Sequence, residues 1–216
     1  MFRFLTSGSY IRVVAAVLLI TDTSYLSSSQ LLFINFPSLV AISIVKGIAP
    51  PKEEPTPYKP DTNFMGIINQ LRFWGNVILY SGAIIAGYLY YVNSGYFVVN
   101  PKPIATEEDG FFSINQSNTV IFLMLLIIQV FLAYSLYNSA PWKVPIYRNV
   151  LEFLLIVLNL AAGVAFFYLT EQLGGSFQTV PIDYGPVSVI LGIVLGAGLL
   201  GVLYNWLIDR YELRSE

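Results

Sequence analysis

The stretch "NTVIFLMLLIIQVFLAYSLY" at residues 118–137 decides the class of fold, because it runs for twenty residues without an Asp, Glu, Lys or Arg. Coiled as an α-helix at about 1.5 Å per residue, it is about 30 Å long, the thickness of the hydrocarbon core of a bilayer. Working outward, five more segments fit the same template: approximately 4–21, 29–45, 67–91, 150–169 and 187–208. Each has about the 17–25 residues that cross a membrane. The segment at 4–21 is the weakest, since it contains Arg12 and the run Ser7-Gly8-Ser9. Its "MFR" start and "VVAAVLLI" core also resemble a signal peptide, but "TDTSYLSSS" after it lacks an A-x-A cleavage pattern. The expected fold is all-α: one transmembrane domain over residues 1–216, an integral membrane bundle of about six helices.

Composition agrees with that reading. Of 216 residues, 56% are hydrophobic and 11% charged, against about 25% charged in a soluble domain. Mean hydropathy is +0.66. Too few charges remain to solvate a globule, so the chain's length goes into crossing the bilayer. Cysteine and histidine are absent, which excludes disulfides, thiol nucleophiles and metal ligation by those side chains. A net charge of −2 gives no electrostatic footprint for nucleic acid. No Gly-rich phosphate loop, G-x-S-x-G or H-E-x-x-H occurs, so no catalytic residue, metal site or cofactor site is expected in the chain.

The connections separate by charge. Arg3 precedes the first segment; Lys46, Lys52, Lys59 and Arg72 flank the second connection; Lys143 and Arg148 lie in the fourth; Arg210 and Arg214 follow the last. The other three connections hold only Lys102. The positive-inside rule then places both termini in the cytosol, which fits an even number of spans. The proline-rich linker "PPKEEPTPYKP" at 50–60 falls on the cytosolic side, as a stiff spacer or a docking segment. The connection from 93 to 117 falls on the other side and carries "EEDG" and the sequon Asn115-Gln116-Ser117, making Asn115 a candidate glycosylation site.

Polar groups inside the spans are the candidate site. Gln30 and Asn35 lie in "SSSQLLFINFPSLVAISIV", with Pro37 two residues further on. Proline removes a helix hydrogen bond and clashes with the preceding turn, and broken helices with polar side chains are how transporters build substrate sites. The plainer reading is a kinked helix whose amides bond to neighbouring helices. Five residues apart, Gln30 and Asn35 sit about 140° apart on an ideal helix, so local unwinding around 33–37 would be needed to aim both at one cation. Arg12 lies mid-span, where a charge usually marks function, with snorkelling as the alternative. Trp74, Tyr88, Tyr90, Tyr91, Trp142, Tyr147 and Trp206 near span ends read as an interfacial belt. In "GIVLGAGLLG" at 192–201, Gly192-x-x-x-Gly196 reads as a helix-packing motif.

Three stretches, in order, resemble one family. "SSSQLLFIN" at 27–35, "PYKP" at 57–60 and, most specifically, "SNTVIFLMLLIIQVFLAYSLYNSAPWKVPIYRN" at 117–149 are similar to the carboxy-terminal membrane half of a type 5 P-type ATPase, subgroup B, the polyamine-transporting and lysosomal group. Pro141, Trp142, Lys143, Pro145, Tyr147 and Asn149 fall on that family's pattern after its eighth helix; the spacing of the six segments also agrees. The resemblance implies that these are the family's fifth to tenth helices. It implies an endosomal, lysosomal or vacuolar membrane, and ATP and Mg²⁺ handled by a full-length pump. Two positions depart from the pattern: Asn35 stands where the family has an acidic residue, and Lys143 where it has Arg. The motif D-K-T-G-T does not occur in the sequence, so the chain is expected to be a fragment, a partial gene model or a separately encoded piece with a missing amino-terminal pump half as partner.

The leading expectation is therefore the substrate-path half of an ATP-driven cation or polyamine pump, with Gln30, Asn35, Pro37 and Arg12 on the path. A membrane scaffold or accessory subunit that keeps the fold without the motor is the alternative. A channel or secondary carrier is disfavoured, because no internal repeat relates the first three segments to the last three. The topology carries its own test. Tags at both termini should be protected from external protease in sealed cells, and any glycan on the 93–117 connection should vanish with Asn115→Gln. Cleavage of either tag in intact cells would overturn the even-span arrangement.

Overall fold

The computed structural model describes residues 2–22, 24–36, 42, 44, 65–97, 115–136 and 149–215. These form an all-helical bundle: α1 (Phe2–Thr21), α2 (Ser28–Asn35), α3 (Ile67–Asn93), α4 (Gln116–Ser135), α5 (Val150–Tyr168), α6 (Thr170–Phe177) and α7 (Tyr184–Ser215). Five of them are long and apolar enough to cross a membrane: Phe4–Thr21, Ile67–Asn93, Gln116–Ser135, Val150–Tyr168 and Tyr184–Glu212. The expected span at 29–45 is represented by α2, while Pro37 and most of the remainder lie outside the described residues.

Local sequence explains where helices begin. Ser27 caps α2 through a capping box: its hydroxyl accepts from the Gln30 amide nitrogen, and the Gln30 side chain accepts from the Ser27 N–H. Asn115 caps α4 in the same way, accepting from the Asn118 N–H. Glu152 sits in the first turn of α5, where the helix dipole favours a negative charge. The octapeptide "TEQLGGSF" forms α6, although its two glycines read as loop. Tertiary packing decides the matter. Phe177 closes an aromatic cluster with Phe33 and Phe166, with ring centroids 5.3 and 5.0 Å away. Gln178 then stops the helix in the left-handed region at φ 52°.

The helix that decided the class of fold also organises the bundle. α4 touches α1, α2, α3, α5 and α7, and 89% of its span is buried, against 28% for α5. A helix apolar all round is buried by protein on every side. α5 instead turns Val150, Leu151, Phe153, Leu154, Val157 and Leu158 outward, the lipid-facing surface of the bundle.

Glycine sets the closest approaches on α7, but not where the motif suggested. Gly192 and Gly196 face open space, so that pair makes no packing contact among the described residues. The contacts fall instead on the face carrying Gly198, against the Phe131 ring of α4, and Gly201, against the Tyr80 hydroxyl of α3. Tyr80 in turn pairs its hydroxyl with Ser135 at 2.9 Å, so α3, α4 and α7 meet at one point. The small-residue rule held; the register was displaced, because an unbroken glycine-rich run offers more than one face.

Leucine at Gly198 or Gly201 should therefore drive a side chain into Phe131 or Tyr80, at a cost of about 1–3 kcal/mol. Leucine at Gly192 or Gly196 should change stability by less than about 0.5 kcal/mol. Thermal unfolding of the four variants in one detergent separates the two pairs, and equal losses at all four would contradict this packing.

Candidate functional site

Near the middle of α1 the Arg12 guanidinium turns toward α2 and α4. One terminal nitrogen donates to Asn35 Oδ1 and the other to Gln129 Oε1 at 3.0 Å. Gln129 is 1% exposed. Three helices thus converge through one cation and two amides. Beside them, between α1 and α2, lies a cavity of about 430 Å³ with a mainly apolar wall that includes Arg12, Ala16, Leu31, Ile34 and Leu125. The sequence picked out Arg12 and Asn35 separately, and the structure joins them. Gln129 was missed. A single glutamine in a long apolar run is a weak signal, and only its neighbour across the helix interface gives it a role.

Gln30 belongs to a different network. It is fully buried. Its Oε1 accepts from Ser27 N–H at 3.0 Å and its Nε2 donates to Asn118 Oδ1 at 2.7 Å. Asn118 passes the chain on by donating to the Tyr25 carbonyl. α2 stays helical through Asn35, so Gln30 and Asn35 remain on separate faces as the ideal geometry required. Gln30 locks the start of α2 to α4, and Asn35 reaches Arg12.

At the end of the bundle that the charge pattern assigns away from the cytosol, Asp22 Oδ2 accepts from the Tyr88 and Ser117 hydroxyls, both at 2.5 Å. Asn115 is buried beside it. It accepts from the Ser24 hydroxyl at 3.0 Å, and its own Nδ2 donates to the Asp22 carbonyl. A glycan at Asn115 would have to be attached before α4 docks, and would forfeit these contacts.

The opposite end holds the strongest ionic cluster among the described residues. Arg72 lies 2.5 Å from both Asp209 Oδ1 and Glu212 Oε2. One turn further in, Asn76 and Asn205 exchange amide hydrogen bonds at 3.1 and 2.9 Å, and the Tyr204 hydroxyl donates to the Leu71 carbonyl at 2.8 Å. The sequence reading counted Arg72 only as a flanking charge. The missed signal is spacing: Asn205, Asp209 and Glu212 fall at i, i+4 and i+7, one face of a helix, opposite Arg72 and Asn76 at i and i+4.

An α-helical membrane protein with ionisable and amide side chains turned into the bundle is the class that fold and site define. A family model described as "Cation transporting ATPase, C-terminus" matches residues 23–207. The chain belongs to that family, and forms the carboxy-terminal membrane part of a cation-transporting P-type ATPase. The matched stretch runs from just after α1 into the last turns of α7, so Arg12 lies before it. A comparison with curated proteins found no match.

The ionic cluster yields a stability test. Replacing Arg72 by Leu strips Asp209 and Glu212 of that cation, a loss expected to cost about 3–5 kcal/mol. The double variant Arg72→Leu/Glu212→Leu should recover part of the loss, as read by thermal unfolding in detergent. A double variant no more stable than the single one would show that Glu212 does not depend on Arg72.

Proposed function

We propose that α1, α2 and α4 form part of the substrate path of an ATP-driven cation pump, with Asn35, Pro37 and Arg12 on the path and Gln30 bracing it. One observation carries the reading: the half-buried Arg12 and Asn35 and the buried Gln129, on α1, α2 and α4, converge at a single place beside a cavity. Polar groups at that depth cost free energy, and they cluster where a protein moves ions or polar solutes. The family supplies the cation. The resemblance to the type 5 subgroup B pumps supports a polyamine as the particular substrate, and an endosomal, lysosomal or vacuolar membrane as its place. ATP and Mg²⁺ would act in phosphorylation and nucleotide domains outside these 216 residues. Their chemistry would reach this chain as a movement of its helices.

The scaffold reading has its own support in Gln30. Every polar contact of that side chain is made within the bundle, to Ser27 and Asn118, as in a residue that braces helices.

Transport in cells supplied with a pump's amino-terminal half distinguishes the two. Asn35→Asp should raise polyamine uptake by pairing a carboxylate with the substrate or with Arg12. Asn35→Leu should abolish uptake while the protein remains folded and correctly located. Uptake unchanged in Asn35→Leu would remove the path assignment and leave the scaffold reading standing.

A further inference from the structure

α6 sits at the end of the bundle that holds Asp22, and little in its own sequence supports it. It has eight residues, Thr170–Phe177, with Gly174 and Gly175 near its centre. An isolated helix shorter than about 12 residues is marginal in water, and glycine is the poorest helix former after proline. Its ends are tied down. The Leu173 N–H donates to the Leu169 carbonyl at 3.0 Å, next to the end of α5. The Thr179 hydroxyl donates back to the Thr170 carbonyl at 2.8 Å, and the Val180 N–H donates to the Thr119 hydroxyl oxygen of α4 at 2.8 Å. What seats the helix itself is α2. The Ser27 hydroxyl donates to the Phe177 carbonyl at 3.3 Å. The Phe177 ring meets Phe33 edge-on at 5.3 Å between centroids, with Phe166 at 5.0 Å and Phe122 at 6.3 Å. A cavity of about 210 Å³ at the base of α6, lined in part by Tyr168, Glu171, Asp183 and Tyr184, leaves its ends room to turn.

Phe33 and Asn35 sit on opposite sides of α2, because two residues turn an α-helix by about 200°. On one side Asn35 accepts from Arg12 of α1. On the other, Phe33 packs against the rings of Phe166 and Phe177. Gln30, about one turn nearer the start of α2, ties the helix to Asn118 of α4 and forms a pivot. A tilt of α2 about Gln30 moves Asn35 relative to Arg12 and Phe33 relative to Phe177 in the same motion. We propose that α6 is a strap on α2: Phe33 makes the folding of α6 conditional on the position of α2, so that α2 moves only as the strap unwinds. Order and disorder of a short segment is a common switching element. Phe33 and Phe177 are then positioning residues for Asn35. This deepens the substrate-path reading and rests on it for the part the strap plays in transport, whereas the coupling itself is measured without transport.

The test is amide hydrogen exchange of the full chain in lipid nanodiscs, read by mass spectrometry on fragments covering 169–178. Phe33→Ala should speed exchange across α6 at least about tenfold, with α5 and α7 unchanged. Phe33→Leu, which keeps most of the volume, should give a smaller rise and serves where the alanine variant does not fold. Leu32→Ala, on the exposed face of α2, should leave α6 exchange as it is. The deciding variant is Asn35→Leu, which alters α2 on the side away from α6. It frees the deep end of α2, so the strap should open more often and α6 exchange should rise at least about fivefold. Circular dichroism confirms that each variant remains helical. Unchanged α6 exchange in folded Phe33→Leu or Asn35→Leu overturns the proposal. So does an equal rise in Leu32→Ala, or one spread over α5 and α7, which would mark general loosening. The same Asn35→Leu protein separates the strap from the path. Normal uptake with faster α6 exchange removes the path and supports the strap; lost uptake with unaltered exchange removes the strap alone.

Discussion

A bilayer offers no water to a buried polar group, so the polar groups of this bundle gain most by finding partners on other helices. That constraint explains the architecture more fully than apolar burial does. Lipid is as apolar as leucine, so hydrophobic side chains alone give helices little reason to choose one neighbour over another. The choices are made by amides, hydroxyls and charges. Gln30 and Asn118 fix α2 to α4, Asn76 and Asn205 fix α3 to α7, and Tyr80 and Ser135 fix α3 to α4. The apolar surface then fills in around these contacts, with α4 enclosed and α5 left to the lipid.

The networks divide the bundle into levels. At one end, Asp22 gathers hydroxyls from α3 and α4. At the other, Arg72 gathers two carboxylates from α7. Both ends therefore hold an ion bound by groups that suit it. The middle level differs: Arg12 is held by neutral oxygens alone. The same fold thus has charged groups met by ions or hydroxyls at its two ends and an arginine held by amides at its centre, and the centre is where the cavity lies.

Helix class and approximate extent were legible in the sequence because both rest on long-range averages. Runs such as 118–137 and 150–169 survive any local irregularity. Partner identity was not legible, because it rests on single residues. Arg72 looked like a flanking charge until Asp209 and Glu212 were set against it, and Gln129 looked incidental until Arg12 pointed at it. Gln30 and Asn35 were singled out together on one helix and proved to serve separate networks. The glycines of α7 show the same limit: spacing announces a close approach but does not choose between faces. α6 escaped notice because its glycines spoke locally against a helix, while Phe177 answered to rings on other helices.

The helices differ in height. α4 and α5 have 20 and 19 residues, about 30 Å each, which matches the hydrocarbon core. α3 has 27 and α7 has 32, about 40 and 48 Å. The Arg72 cluster joins this taller pair near one tip, beside the Arg210 guanidinium stacked 4.0 Å over the Trp206 ring. Each of this pair is longer than the hydrocarbon core is thick, and a bilayer accommodates such length by tilt or local thickening; because Tyr80 and Gly198 tie the pair to α4, a change in its tilt carries α4 with it.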